Sequence, residues 1–417
     1  MENTASVLRI RETGEREATL LEHGTLRVII DDRGGMVPEL SCVRGRGRIN
    51  AHWIPHFRGN SGKPYDDTEH GAFWKGSLLY ELAGNFCCVP NFGPGQVIDG
   101  VTIPPHGWTA NHTWRFDGSG VEGESGAAWA LSSMESPDRR MPLAFKKLDM
   151  LLPDHPVHYT GLEIKNRGDS DIEICAGWHN TLAPPLLQQG CRISAAAKRW
   201  TVSPAGGEFD TTSRLALGAE FGSLAEAPLA GGGTEDLSLV PAPLGYTDFV
   251  CGAIGDDETT GWSALVNPFL KLAYVCFFAG PAAAAEDDII LRFNDLWMQY
   301  GGRPFTPWAL YEGGSDLSYC LGTENGAAAF AYGLEYSRQV KRLMGAPSTF
   351  TIPAGQSRTL RYGSLFAPYE GNLLDGGIRS VKADDGRILC GGTDGCCRFP
   401  ADGAFGVLKR IQGKNPA

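Results

Sequence analysis

The chain has 417 residues, 42% of them hydrophobic, and a formal net charge of -11 at pH 7. The excess of 48 acidic over 37 basic side chains argues against a nucleic-acid or anionic-membrane surface as the main function. The 55 glycines and 26 prolines are spread along the chain, so frequent turns between short strands are expected rather than long helices.

The opening "MENTASVLRIRETGERE" is charged and lacks the apolar core of a signal peptide. No apolar run reaches the roughly 20 residues of a membrane span. The nearest, "LKLAYVCFFAGPAAAA", is broken by Gly280 and Pro281. A cytoplasmic location is expected. The 11 cysteines are odd in number, and the adjacent pairs Cys87–Cys88 and Cys396–Cys397 fit neither a CxxC redox site nor a zinc knuckle. Reduced, mostly buried thiols follow.

In chain order, "TLRVIIDD" alternates with period two and then turns at Gly34-Gly35. His52 and His56 in "HWIPH" have the spacing of a helical zinc pair, but Pro55 opposes a helix, and no metal site is expected. "GSGVEG" at 118–123 satisfies GxGxxG. A strand-like run follows it rather than a helix, so it reads as a hairpin loop. "HYTGLEIKNRGDSDIEICAGW" reads as two strands around an Arg-Gly-Asp-Ser turn. "LKLAYVCFFAG", "DIILRFNDLWMQYGG" and "RTLRYGSLFAP" are further strand candidates. Residues 203–260 begin with weak periodicity and read as an insertion or long loops. Residues 334–345 could form about three helical turns. The predicted fold is all-β, a large antiparallel β-sandwich with few short helices. A main domain over 1–368 is followed by an extension over 369–417 that could pack on it or on a partner subunit, as in a homodimer.

Three segments carry candidate chemistry. "GNFCCVPNFGPG" at 84–95 leads into "VTIPPHGWTANHTW" at 101–114. There a rigid loop would present His106 between Phe92 and Trp108. Flat apolar faces beside polar groups suit a sugar, although a capped loop histidine explains the same residues. His179 stands at a strand end after Trp178, where a structural role is the commoner one. Glu324 follows the apolar run "YCLG", where a turn carboxylate bonded to nearby amides is the alternative.

Taken together, Gly84 to Trp114 resembles a signature of the aldose 1-epimerase and hexose-phosphate mutarotase superfamily. The matching residues are Cys88, Pro90, Gly93, Pro104, His106, Gly107 and Trp114, with Phe86 where the family has a proline. "LLEHGTLRVIIDDRGGMVPEL" and "FTIPAGQSRTLRYGSLF" resemble the family's first and closing strands, so the resemblance covers about residues 20–368. It implies a galactose mutarotase-like supersandwich that interconverts the α and β anomers of an aldose without metal or cofactor. It also implies Glu324 as general base, His179 as general acid and His106 as a hydrogen-bonding group near the ring oxygen. Asp295 is the candidate for the family's sugar-binding aspartate, with Asp210 as the alternative. Trp108, Trp178 and Trp297 are candidate stacking surfaces. Leu82 occupies the place of an arginine usual in the hexose-phosphate branch. A small-molecule sugar is the expected partner. Two alternatives stay open. One is another carbohydrate enzyme with a second carboxylate, for which Glu312 and Asp316 are candidates. The other is a non-catalytic sugar-binding protein.

Overall fold

The computed structural model describes residues 5–11, 16–59, 63–206, 213–243 and 245–408. Two large antiparallel sheets face each other. The first has seven strands, in the spatial order Glu220–Phe221, Arg199–Val202, Tyr246–Ala253, Phe293–Tyr300, Tyr319–Ala327, Ala176–Leu182 and Asn85–Cys88. The second has eight, running from Arg192–Ala195 through Thr260–Asn267, Leu272–Ala279, Ser357–Pro368, Val157–Asn166, Leu143–Leu151 and Ala128–Glu135 to Arg115–Val121. Their facing side chains form one core. Trp178 stacks on Tyr362 with ring centroids 4.9 Å apart, and Tyr362 stacks on Phe278 at 5.9 Å. The fold is the expected antiparallel β-sandwich. Its central strands are buried on both faces, and this accounts for near-continuous apolar runs such as "LAYVCFFA" where strict alternation would mark a half-exposed sheet.

A five-stranded meander over Ser6–Asn50 precedes the sandwich, and a three-stranded one over Ser380–Pro400 follows it. The C-terminal segment packs on the eight-stranded sheet. Phe405 stacks on Phe277 at 5.5 Å, and the Asp402 amide donates to the Tyr159 hydroxyl at 2.7 Å. Within 203–260, Tyr246–Ala253 is an inner strand of the seven-stranded sheet.

Two local expectations are corrected. Gly118 to Val121 belong to the strand Arg115–Val121, and the turn comes after them. The Trp129 ring lies across the strand pair from Gly118 and Gly120, at ordinary contact distance from where a Cβ on either would stand. The helix expected over 334–345 spans only Leu334–Val340, because Lys341 takes a positive φ and its amide closes the last turn on Ser337. The 11 cysteines are all unpaired, and ten are buried. Among the described residues, no helix is long and apolar enough to cross a membrane.

The sandwich interior also holds buried polar groups. Lys147 and Asp149 are almost fully sealed and pair at 3.0 Å. The Lys147 ammonium also donates to the Gly35 carbonyl at 2.9 Å. The Gly34 amide in the same turn donates to the His112 carbonyl. The double-glycine turn therefore supports the short helix Gly107–Asn111 that begins beside His106. His52 points into the interior too, bonded to the Val37 carbonyl and the Tyr274 hydroxyl.

Candidate active site

The site lies on the outer face of the seven-stranded sheet. On a strand, successive side chains point to opposite faces, so residues two apart share one. Asp295 is opposite both Cys251 and Glu324 in register. The pairs Trp178–Asn325 and Thr181–Gly322 place His179 opposite Glu324, and His179 is paired with Phe86. A single cross-strand row therefore reads Cys251, Asp295, Glu324, His179, Phe86. The next row on the same face contains Phe249, Trp297, Gly322 and Thr181.

His179 Nε2 lies 3.3 Å from Glu324 Oε1, and both side chains are largely buried. The other ring nitrogen, Nδ1, is 3.1 Å from the Thr181 hydroxyl. Phe86 stacks on the His179 ring at 4.5 Å and Trp297 meets it edge-on at 6.0 Å, so its orientation is set from three sides. Burial, and then His106, holds the His179 pKa well below the usual histidine value, which favours the neutral ring. His106 stands perpendicular to His179 with centroids 5.2 Å apart, and burial lowers its pKa to about 4.

His106, His179, Glu324 and Trp297 line one cavity of about 520 Å³. Its lining is mainly apolar, as is usual for small-molecule sites. The rim comes from four separate segments: 75–79, 93–95 with 105–106, 305–308, and 330–332. Two glycines of the motif make its tight packing feasible. A Cβ on Gly107 would lie 2.2 Å from the Val89 carbonyl oxygen, and one on Gly93 would lie 2.2 Å from that of Ala331. Both adopt positive φ. The Gly93 carbonyl accepts from the His106 amide at 2.8 Å, and the Phe92 carbonyl from the Gly333 amide at 2.8 Å. Loop 91–95 thus ties the histidine loop to the 330–333 wall. His106, Phe330 and Ala331 themselves hold positive φ values of 58°, 57° and 52°. Such strain is held where surrounding contacts over-determine the backbone.

The structure brings together His106, His179, Glu324 and Trp297 and separates the other candidates from them. Trp178 neighbours His179 in sequence and therefore faces the sandwich interior, against Tyr362. Trp108 is buried in the helix Gly107–Asn111, where it packs in the core and does not line the cavity. Neither offers a stacking surface. Asp295 shares the row of Glu324 but is fully buried and does not line the cavity. Burial pushes its pKa up to about 7, against the smaller lowering effect of a hydrogen bond with the Cys251 thiol. A Cβ on Gly326 would lie 3.3 Å from the Phe92 ring and 3.4 Å from Asp295 Oδ2, so Phe92 crowds the same corner. Asp295 thus lacks the access that a direct sugar contact needs. Asp210 lies outside the described residues. Glu312 and Asp316 do not line the cavity: Glu312 accepts from Thr306 on the rim, and Asp316 accepts from Gln299 and the Arg303 and Ser318 amides. Among the described residues, no three His, Cys, Asp or Glu side chains converge as metal ligands.

Several lining residues carried no signal in the sequence. Phe249, Phe305, Trp308, Phe330 and Tyr332 come from segments far apart in the chain. Trp308 is 5.8 Å from Trp297 and stacks on Trp53, with the Arg303 guanidinium 4.3 Å above it. A tryptophan after Pro307 in a loop was the one hint of it.

No protein-family model and no curated protein matches the sequence. Similarity appears at the level of structure. A protein from Klebsiella pneumoniae, provisionally named an aldose 1-epimerase, aligns with a TM-score of 0.59 at 13% identity, covering 87% of this chain and 82% of the other. A galactose mutarotase-like protein from Clostridium acetobutylicum aligns with a TM-score of 0.56 at 11% identity, over 88% and 99% of the two chains. A third, from Escherichia coli K12 and also provisionally named an aldose 1-epimerase, has a TM-score of 0.51 at 15% identity, over 84% and 98%. The fold of this chain is that of the galactose mutarotase-like β-sandwiches.

Proposed function

We propose that the chain is an aldose 1-epimerase that interconverts the α and β anomers of a sugar in this cavity. One observation carries the reading: an imidazole and a carboxylate 3.3 Å apart on the floor of a mainly apolar cavity, with a second imidazole edge-on to the first. Mutarotation opens a cyclic hemiacetal and recloses it on the other face of the carbonyl. The C1 hydroxyl loses a proton while the ring oxygen gains one, and the C1–O5 bond breaks. Glu324 takes the first proton and His179 supplies the second, so the pair needs a single transferable proton. The reactive form carries its proton on the His179 imidazole beside an ionised Glu324, the less populated state because burial favours the neutral ring. That proton passes to the ring oxygen while a different one passes from the C1 hydroxyl to the carboxylate. Rotation about C1–C2 then exposes the other carbonyl face, and reclosure returns each proton along its own path. Proton transfers of this kind each contribute about 10²–10⁴ in rate. His106 sits where it could hydrogen-bond the sugar near the ring oxygen, and Trp297 offers an apolar flank.

Anomeric exchange followed by NMR on a panel of aldoses and aldose phosphates tests the reading. Exchange should accelerate with wild-type protein and fall by at least 10²-fold in Glu324→Gln and in His179→Asn. Full activity in Glu324→Gln would remove the carboxylate from the mechanism. Sugar binding without any exchange would leave a binding protein.

A further inference from the structure

Among the described residues, the polar side chains deepest in the cavity gather at one end. The polar side chains on its floor are His106, His179 and Glu324. Around the rim, the hydroxyl groups are already engaged. Ser77 Oγ donates to Asn111 Oδ1 at 3.1 Å, and Thr306 Oγ1 donates to Glu312 at 2.7 Å. The Tyr332 hydroxyl bonds Ser203 and accepts from the Ala205 amide. The Lys75 ammonium lies at the mouth, 3.6 Å from Glu312 and over the Phe305 ring. Between floor and mouth the walls are aromatic: Phe249, Trp297, Phe305, Trp308 and Phe330. The indole nitrogens of Trp297 and Trp308 are sealed from the space, so both tryptophans present carbon to it. Among the described residues, no carboxylate, amide or guanidinium side chain lines the part of the cavity remote from Glu324.

An unsubstituted hexose meets this arrangement badly. With its C1 hydroxyl and ring oxygen at the histidines and Glu324, hydroxyls midway along the sugar face aromatic carbon. A buried hydroxyl without a partner costs about five- to 150-fold in affinity. Carbon–hydrogen or alkyl groups at the same positions gain from the rings instead.

We propose that the preferred ligand is an aldose with an apolar far edge, a deoxy or O-alkylated sugar with a free anomeric centre. Its orientation rests on the epimerase reading above, but its preference for an apolar edge does not. Trp297, Trp308 and Phe305 receive the deoxygenated or alkylated carbons, and the three polar side chains receive the anomeric end.

Matched pairs test this: D-glucose against 6-deoxy-D-glucose and 3-O-methyl-D-glucose, and D-galactose against D-fucose. Two readouts are taken. Wild-type kcat/KM comes from anomeric exchange. Dissociation constants for the Glu324→Gln protein come from tryptophan fluorescence, which reports on the cavity without catalysis. At least one less hydroxylated member of each pair should be favoured by about 10- to 100-fold, the discrimination an apolar pocket exerts on a single hydroxyl. Phe305→Gln should shrink that ratio. Parent hexoses that bind and react as well as their deoxy and methyl partners overturn the proposal while leaving the epimerase reading intact. Absence of exchange with every sugar removes the epimerase reading, and the order of the dissociation constants still decides the ligand class.

Discussion

Gly322 separates catalytic geometry from fold stability in one substitution. A Cβ added there would lie 2.9 Å from Glu324 Oε1 and 3.0 Å from the Trp297 Cβ. Comfortable carbon–oxygen contacts are about 3.3–3.6 Å, so the carboxylate oxygen must retreat by about 0.5 Å. That oxygen is the one 3.3 Å from His179 Nε2. Catalytic groups must hold position to about 0.5 Å, and a 1 Å error costs about 10²-fold. Gly322→Ala should therefore lower anomeric exchange by about 10- to 100-fold. The fold should tolerate it. Gly322 lies inside the strand Tyr319–Ala327, and its oxygen neighbour is the end of a flexible side chain. Replacing glycine within a strand gains about 0.5–1 kcal/mol, which offsets part of the crowding against Trp297. The assay pairs exchange NMR with thermal melting, using Gly123→Ala as a control because a Cβ there meets nothing within 4 Å. The melting temperature should move by a few degrees at most. Exchange within twofold of wild type, in a protein that melts normally, would refute the placement of Glu324 in the reaction.

Gly177→Ala should act on stability instead: its Cβ would fall 2.4 Å from the fully buried Phe92 ring, and overpacking of this kind costs about 1–3 kcal/mol, readable as a lower urea midpoint. An unchanged midpoint would mean that Phe92 has room the structure does not show. Lys147→Met removes the ammonium paired with the sealed Asp149, leaving it only His158 and Thr160, and should cost about 3–5 kcal/mol, while a loss below 1 kcal/mol would show that those two partners suffice. Asp295 supplies a pH prediction. Its pKa rises from 3.8 unfolded to about 7 folded, so its contribution to stability is fully present below pH 3.8 and is lost as pH rises toward 7. The stability of Asp295→Asn relative to wild type should therefore grow by about 1.4 kcal/mol per pH unit between pH 5 and 7, and a pH-independent difference would contradict it. The variant difference is the proper readout, because His52, lowered to about 3 by burial, acts with the opposite sign in both proteins.

Much of the architecture is legible in the amino-acid sequence. Period-two runs and dense turn residues point to antiparallel sheets because a strand's side chains alternate between faces. The order of the His106 loop, His179 and Glu324 along the chain, set beside the family signature, brings three of the four converging residues into view. The tryptophan assignments are less secure for a reason of parity. Trp178 and His179 are both prominent in "CAGWHN", yet one strand cannot turn both toward the same side, and only the partner strands decide which one faces out. Asp295 has the right parity and the right row, but the packing above it closes it off, and that depends on Phe92, about 200 residues away, and on Gly326 of the partner strand.

Local rules suffice for the all-β class and for the rigid glycine- and proline-bound histidine loop, while the candidate acid and base come into view only through the family resemblance. Backbone sterics, side-chain alternation and the chemistry of residue types all act within a few residues, so a linear chain displays them. Contact between His179 and Glu324, the room that Gly322 leaves for the carboxylate, and the wall of Phe249, Phe305, Trp308 and Phe330 emerge only in the folded molecule. Those facts depend on register between strands and on the meeting of four separate segments, and no single stretch of sequence encodes them.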